Sequence, residues 1–479
     1  MSRLADASRL VPYAWARDNA VLLVPVAERE AEAWISDATP LTAVQEVMRV
    51  FPGEVRPVLK PAAELAEAIA RRYSQSESSA QQIVGSIEGE LDLDRMMQEV
   101  PDVEDLLETE DDAPIIRMIN ALLTQAARDG ASDIHIEPFE TSSLVRFRVD
   151  GTLRDVVHPK RALHAALVSR IKIMASLDIA EKRLPQDGRI TLRVGGRAVD
   201  VRVSTLPTGH GERVVLRLLE KDLARLDLAN LGMGAATLAA FDRLIHAPHG
   251  IILVTGPTGS GKSTTLYGAI RRLDSKRSNI MTVEDPIEYD IEGIGQTQVN
   301  PKIDMSFAKA LRAILRQDPD IVMIGEIRDI ETAQIAVQAS LTGHLVLATV
   351  HTNDAASTVT RLVDMGVEPF LLSSSLLGVL AQRLVRRLCP HCKRQDAAGA
   401  WHAVGCVQCS HTGYLGRTGV YELLTIDDNM RSLIHNGAND TDIRRTAERA
   451  GMVPMRTDAQ RWVGTGVTTQ EEVLRVTRE

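Results

Sequence analysis

Residues 256–263 read GPTGSGKS, the spacing G-x-x-x-x-G-K-[ST] of a phosphate-binding loop. The apolar run 251–255 (IILVT) precedes it, as a strand buried on both faces requires, and 264–273 can continue as a helix. A Gly-rich turn between strand and helix aims backbone N–H groups at phosphate oxygens, and the helix adds the positive end of its dipole. Gly256, Pro257, Thr258, Gly259, Ser260, Gly261, Lys262, Ser263 and Thr264 are therefore the expected nucleotide cradle. Lys262 is expected to reach the β- and γ-phosphates, and the Ser263 hydroxyl to sit on Mg²⁺. A chance match in a flexible Gly/Ser loop would lack the strand before and the helix after. The chain reads as one that binds ATP or GTP.

Three further strand ends carry polar residues, and in parallel sheets ligands bind at the carboxyl ends of strands. Residues 280–283 end in Glu284-Asp285-Pro286-Ile287-Glu288. Residues 321–324 end in Gly325-Glu326, and 346–350 end in His351-Thr352-Asn353, with His344 just before that strand. A hydrolase needs carboxylates to hold Mg²⁺ through water and to orient the attacking water, which Glu326, Glu284 and Glu288 can supply. His344 and His351 can report the γ-phosphate. Singly, each acid reads equally well as a surface or capping residue; together at three strand ends they read as one site.

All four cysteines lie in one short region, Cys389 and Cys392 in C-P-H-C and Cys406 and Cys409 in C-V-Q-C. Two C-x-x-C pairs at this separation fit a tetrahedral Zn²⁺ site of four thiolates with no open position for catalysis. The small, polar segment between them could not build a core without a metal clip. Disulfides compete, but a cytosolic chain disfavours them. His391, His402 and His411 read as solvated loop residues rather than ligands.

With 479 residues the chain is long enough for about three domains. A net charge of −9 argues against a general polyanion-binding surface, and no aromatic-basic stretch marks a nucleic-acid motor. No run reaches the ~20 apolar residues of a membrane span, so a cytoplasmic protein is expected, held to any membrane by a partner. The expected class is multidomain α/β. Residues 1–79 form a small α/β module. Residues 80–112 form an acidic linker; the stretch 86–114 holds twelve acidic residues against one arginine. Residues 113–220 form an α+β domain, with a helix over 115–127 closed by Gly130 and hairpins turning at Asp150-Gly151 and Gly195-Gly196. Residues 221–231 connect to a parallel α/β domain over 232–388. The metal segment is 389–409, and 410–479 is expected to be mostly helical.

The motifs resemble the secretion ATPase superfamily that powers type II secretion and type IV pilus assembly. The matching pieces are GPTGSGKSTTLY, TVEDPIEY (282–289), IVMIGEIRD (321–329) and TGHLVLATVHTNDA (342–355). ASDIHIEP (131–138), EKRLPQDGRI (181–190), RVSTLPTGHGERVVLRLL (202–219) and the tetracysteine followed by GYLGRTGVYELL (413–424) also match. The likeness implies a PAS-like domain followed by a RecA-like P-loop domain in a homohexameric ring that uses ATP, Mg²⁺ and Zn²⁺. It implies that Arg202, Arg213 and Arg217 reach the nucleotide; on sequence pattern alone they read as a solvated sheet face. PYAWARDNAVLLVPV (12–26) resembles the opening of the type II secretion branch, and the tetracysteine argues against a retraction motor. The gap between the cysteine pairs is shorter than in typical relatives. The resemblance implies a motor for pseudopilus assembly, docked through residues 1–79 on the cytoplasmic domain of an inner-membrane type II secretion protein. The nearest alternative is a type IV pilus or DNA-uptake motor; a non-catalytic scaffold is disfavoured by Lys262, Glu284 and Glu326.

Overall fold

The computed structural model describes residues 11, 13–27, 30–51, 53–76, 114–194, 197–220 and 226–477. The acidic stretch expected over 80–112 lies outside them. The chain divides into two units, 1–221 and 222–479.

In the first unit, helix α1 (Tyr13–Asp18), strands β1 (Val21–Ala27) and β2 (Glu30–Ile35), helix α2 (Leu41–Val50), strand β3 (Glu54–Leu59) and helix α3 (Ala62–Ser76) form a small α/β module. Its sheet runs β1-β2-β3, antiparallel then parallel, over a core that includes Leu22, Ala33, Val47 and Leu65.

Helix α4 (Pro114–Arg128) follows, its apolar stripe Ile115, Ile119, Leu122, Leu123 and Ala126 buried as the 3.6-residue period demands. It closes where Gly130 takes φ +65. Strands β4 (Ala131–Pro138), β5 (Ser143–Val149) and β6 (Thr152–Val157), helix α5 (Arg161–Met174), and strands β7 (Gln186–Val194), β8 (Arg197–Thr208) and β9 (Gly211–Glu220) complete this part. Their sheet is antiparallel in the order β6-β5-β4-β9-β8-β7. One face is core: Val199, Val201 and Val203 are at most 3% exposed. The other is polar, because strand side chains alternate. Across it, Arg189, Arg202, Arg217, Asp133 and Arg148 stand in one register row.

The second unit holds helix α6 (Ala235–Ile245), strand β10 (Gly250–Thr255), helix α7 (Lys262–Ile270), strands β11 (Ile280–Glu284) and β12 (Gly295–Gln298), helix α8 (Phe307–Ile314), strand β13 (Ile321–Ile324), helix α9 (Ile330–Leu341), strand β14 (Leu345–Val350), helices α10 (Ala355–Asp364) and α11 (Pro369–Ser375), and strand β15 (Leu376–Leu388). The short pair β16 (Arg394–Gln395) and β17 (Trp401–His402) is followed by β18 (Tyr414–Thr425) and helices α12 (Asp428–His435), α13 (Asp440–Arg449), α14 (Met455–Gly464) and α15 (Gln470–Val476). Seven strands run β12-β11-β13-β14-β10-β15-β18, parallel except for the final pair. Apolar clusters cover both faces: Ile251 and Leu253 belong to one, Ile252 and Val254 to the other. Burying one such side chain is worth roughly 1.5–3 kcal/mol, which is why β10 tolerates no polar alternation.

The C-terminal region is mostly helical, with one strand that the sequence reading did not name. The stretch after the cysteines begins with a twelve-residue strand, β18, before turning helical. It pairs antiparallel with β15 and so extends the nucleotide-binding sheet by one strand. The last helix starts on a side-chain cap: Thr469 Oγ1 accepts from Glu472 N at 3.2 Å.

Candidate nucleotide site and tetracysteine centre

The phosphate loop leaves β10 at its carboxyl end and enters α7 at Lys262. Gly256 takes φ +146, and a Cβ there would lie 2.5 Å from the Gln382 carbonyl oxygen. Gly261 takes φ +89, the left-handed step that turns the chain into α7. Pro257, Thr258, Gly259 and Ser263 are exposed, so the loop's outer rim faces solvent.

Lys262 Nζ donates to Gly256 O at 2.8 Å and to Pro257 O at 3.3 Å, and lies 3.4 Å from His351 Nδ1. Burial, helped by the like charge of Arg383 and opposed by Glu326, brings the ammonium down to about 8. His351 Nε2 stands 3.4 Å from Glu326 Oε2, and Glu326 also pairs with Arg328. One imidazole tautomer serves both contacts, Nδ1 accepting from Lys262 and Nε2–H facing Glu326. Residues from the ends of β10, β13 and β14 thus meet in one cluster: Lys262, Glu326 and His351.

Glu284 and His344 do not join it. Glu284 is buried; it accepts from Thr282 Oγ1 at 2.5 Å and Gln296 Nε2 at 3.0 Å, and from the Tyr267 hydroxyl. Its oxygens are engaged in tying the acidic box to α7. Tyr267 also accepts from the backbone of Glu288 at 3.1 Å and of Tyr289 at 3.3 Å. Sequence reading passed over Tyr267 as a functional residue, although it lies four residues after Ser263 on the same helix face. Glu288 lies half-buried in the turn that follows. His344 sits at the amino end of β14, where its Nδ1 donates to Ala339 O at 2.8 Å and its own carbonyl receives Gly250 N at the start of β10. A strand advances about 3.3 Å per residue, so His344 and His351 are roughly 20 Å apart.

In the first unit, the three arginines singled out stand on the polar sheet face. Arg217 Nε donates to Asp133 Oδ1 at 2.8 Å. Arg213 Nη2 lies 3.1 Å from Glu137 Oε1 and 3.1 Å from His135 Nδ1. Arg202 stands between Arg189 and Arg217 in register. Burial works to raise the Asp133 carboxyl, but the hydrogen bonds from Arg217 and Ser132 outweigh it and leave it below the usual range. Arg213 and Arg217 are therefore aimed by carboxylates while remaining 37% and 56% exposed.

The four cysteine Sγ atoms lie within 4.8 Å of one another. Cys389–Cys406, Cys392–Cys409 and Cys406–Cys409 are 3.9, 3.8 and 3.8 Å apart. A tetrahedron with metal–sulfur bonds of about 2.3 Å has edges of about 3.8 Å, so the donor set fits Zn²⁺; a disulfide needs sulfurs about 2.05 Å apart. Backbone N–H groups of Cys406 and Gly413 donate to Cys409 Sγ, each at 3.2 Å, and Gly405 N donates to Cys392 Sγ at 3.3 Å. His402 bonds Asp396 at 2.8 Å, outside the sulfur cluster. The knuckle rests on the turn between α14 and α15: Lys393 Nζ donates to Gly466 O at 2.8 Å while standing 4.7 Å over the Trp401 ring. Among the described residues no helix is long and apolar enough to cross a membrane.

Comparison with known proteins agrees with this geometry. The family model described as Type II/IV secretion system protein matches residues 108–475, and the MshEN domain model matches residues 2–79. The chain is 66% identical to the type II secretion system protein HxcR of Pseudomonas aeruginosa, over 98% of this chain and 99% of that one. It is 54% identical to the type II secretion system ATPase E of Vibrio cholerae, over 98% and 97%. Among solved structures, the pilus retraction motor PilT with bound ADP aligns at TM-score 0.53 and 27% identity, over 75% of this chain and 96% of that one. The Legionella pneumophila ATPase DotB shares the fold at TM-score 0.59 and 23% identity, over 79% and 98%. The family model over residues 108–475 and the full-length likeness to type II secretion ATPases lead to one conclusion: the chain belongs to the type II/IV secretion system protein family, among its type II secretion ATPases.

Proposed function

We propose that the chain is a cytoplasmic motor that hydrolyses ATP to drive pseudopilus assembly and protein export by a type II secretion system. The observation that carries this is the meeting of Lys262, Glu326 and His351 beside the phosphate loop. The phosphate loop, residues 256–264, cradles the nucleotide, and Ser263 presents its hydroxyl to Mg²⁺. Glu326 orients the attacking water or the ion's hydration shell. His351, touching both Lys262 and Glu326, registers whether the terminal phosphate is present. Glu284 positions the acidic box, and Glu288 is its solvent-side acid. Cys389, Cys392, Cys406 and Cys409 hold one Zn²⁺ whose contribution is to fold the knuckle.

The domain roles follow. Residues 113–220 form the PAS-like domain whose Arg202, Arg213 and Arg217 offset phosphate charge in a hexameric ring. Residues 232–388 form the ATPase domain, 389–409 the zinc segment and 410–479 the C-terminal region. Residues 1–79 dock on the cytoplasmic domain of an inner-membrane secretion protein. Lys262→Ala should abolish turnover. Glu326→Ala should still bind ATP yet turn over at least about a hundredfold more slowly. Steady-state phosphate release from oligomeric protein tests both, and near-normal turnover by the Glu326 variant would remove its assigned role.

A further inference from the structure

Strand β15 carries two adjacent polar residues, Gln382 and Arg383, that the roles above leave unused. Neighbouring strand residues point to opposite faces, so the two side chains serve different surroundings. Gln382 is 1% exposed. Its Nε2 donates to Ser260 O at 2.7 Å, and its Oε1 accepts from Thr265 Oγ1 at 2.8 Å. The amide therefore bridges the phosphate loop to the first turn of α7. With its Ser260 carbonyl held by Gln382, the phosphate loop is fixed at its middle, and the bond of Ser260 N to Pro257 O at 3.2 Å keeps its turn tight. Arg383, half-buried, donates through Nη2 to Asn353 O at 2.8 Å. Asn353 is two residues beyond His351, in the loop whose histidine touches Lys262. Thr352, between them, is tied to Thr255 Oγ1 at the end of β10.

β15 is well suited to hold both loops. It is thirteen residues long, neighbours the loop's own strand β10, and pairs with β18 along most of its length. A side chain on such a strand is placed more rigidly than one on a loop. We infer that Gln382 and Arg383 are positioning residues for ATP hydrolysis: Gln382 fixes the phosphate loop, Arg383 fixes the loop carrying His351, and one strand sets the gap in which the terminal phosphate is read. The inference rests on the proposed ATPase function and assigns the two residues different kinetic signatures. Gln382 shapes a surface used equally by bound ATP and by the transition state, so its loss falls on affinity. Arg383 holds groups that act on the terminal phosphate during reaction, so its loss falls on turnover.

Gln382→Glu, Gln382→Leu, Arg383→Gln and Arg383→Lys in the full chain provide the test, with a fluorescent ATP analogue for affinity, steady-state hydrolysis, and melting temperature. The ionised carboxylate of the Gln382→Glu variant cannot donate to Ser260 O and repels it, so Kd and KM should rise about tenfold with kcat little changed. Lowering the pH should return this variant toward normal affinity, because a protonated carboxyl regains the donor; the leucine variant should gain nothing. Arg383→Gln should lower kcat about tenfold with KM near normal, and Arg383→Lys should fall between. Unchanged kinetics, or parallel shifts of KM and kcat that track a loss of melting temperature in every variant, would overturn the inference. Failure of the unaltered protein to bind nucleotide would defeat the ATPase proposal itself, and this inference with it.

Discussion

Lys262 meets its ligand from an unusual starting point. Burial is the main reason its ammonium is brought down to about 8 in the free loop, against about 10.4 for an exposed lysine. Phosphate oxygens favour the charged form, so the pKa rises on binding. Below about pH 8 the free loop already holds the proton and binding takes up none. Above it, binding must draw a proton from solvent, and affinity should fall by up to tenfold per pH unit. Calorimetry of nucleotide binding in two buffers of different ionisation enthalpy, at about pH 7 and about pH 9, measures this directly. The expected result is buffer-dependent heat only at the higher pH; heat that ignores the buffer at both would show that Lys262 stays charged throughout. At this scale the sequence was legible where the determinants are contiguous. Residues 256–264 announce their chemistry because loop, lysine and hydroxyl follow one another along the chain. Glu326 and His351 needed only the rule that ligands gather at strand ends. His344 shares a motif with His351, yet the strand between them carries the two to opposite ends of β14. Nothing local to Glu284 reveals that Tyr267, Thr282 and Gln296 engage its oxygens.

Among elements, β15 and β18 tie the nucleotide sheet to the tetracysteine knuckle, since β15 runs directly into Cys389 and β18 leaves just after Cys409. The join is fastened by Glu472 on α15, which receives Arg386 and Arg475. Burial works to raise this carboxyl, but those guanidinium bonds prevail and hold it at about 2. β18 escaped sequence reading because Gly416, Arg417 and Gly419 break its apolar alternation; its pairing with β15 is a long-range fact that no local pattern states. The knuckle was legible because metal-ligand spacing is itself a local code. Metal analysis should give about one Zn²⁺ per chain. Cys389→Ser, or a strong chelator, should release it and expose 389–413 to protease, while nucleotide affinity changes less than about threefold. Metal-free protein that resists protease as well as the native form would show that the four thiols need no ion.

For the whole molecule, alternation along β8 made one face core and one polar, but the sequence could not show which carboxylates aim the arginines. Asp133 meets Arg217, and Glu137 meets Arg213, across 84 and 76 residues of chain respectively. Such pairings are set by strand order, which a linear reading does not contain. The N-terminal module is a three-stranded unit with its own apolar core. Deleting residues 1–79 should leave a folded protein that binds nucleotide but no longer sediments with membranes in cells carrying the secretion apparatus. Membrane association that survives the deletion would place the docking surface elsewhere.

The placing of Trp401 on the knuckle carries an optical consequence. The chain has four tryptophans. Trp15 and Trp34 pack against the N-terminal core; Trp401 lies under Lys393, and Trp462 on α14 donates to Gly419 O at 3.0 Å. None stands among the groups around the phosphate loop. A chain lacking residues 1–79 would thus fluoresce from two indoles alone, both in the C-terminal part. Stripping the metal should shift the emission of Trp401, whose ring rests beside Gly466, and leave the Trp462 contribution in place. Emission from Trp401 should therefore report the state of the knuckle without a tryptophan at the phosphate loop to confuse it.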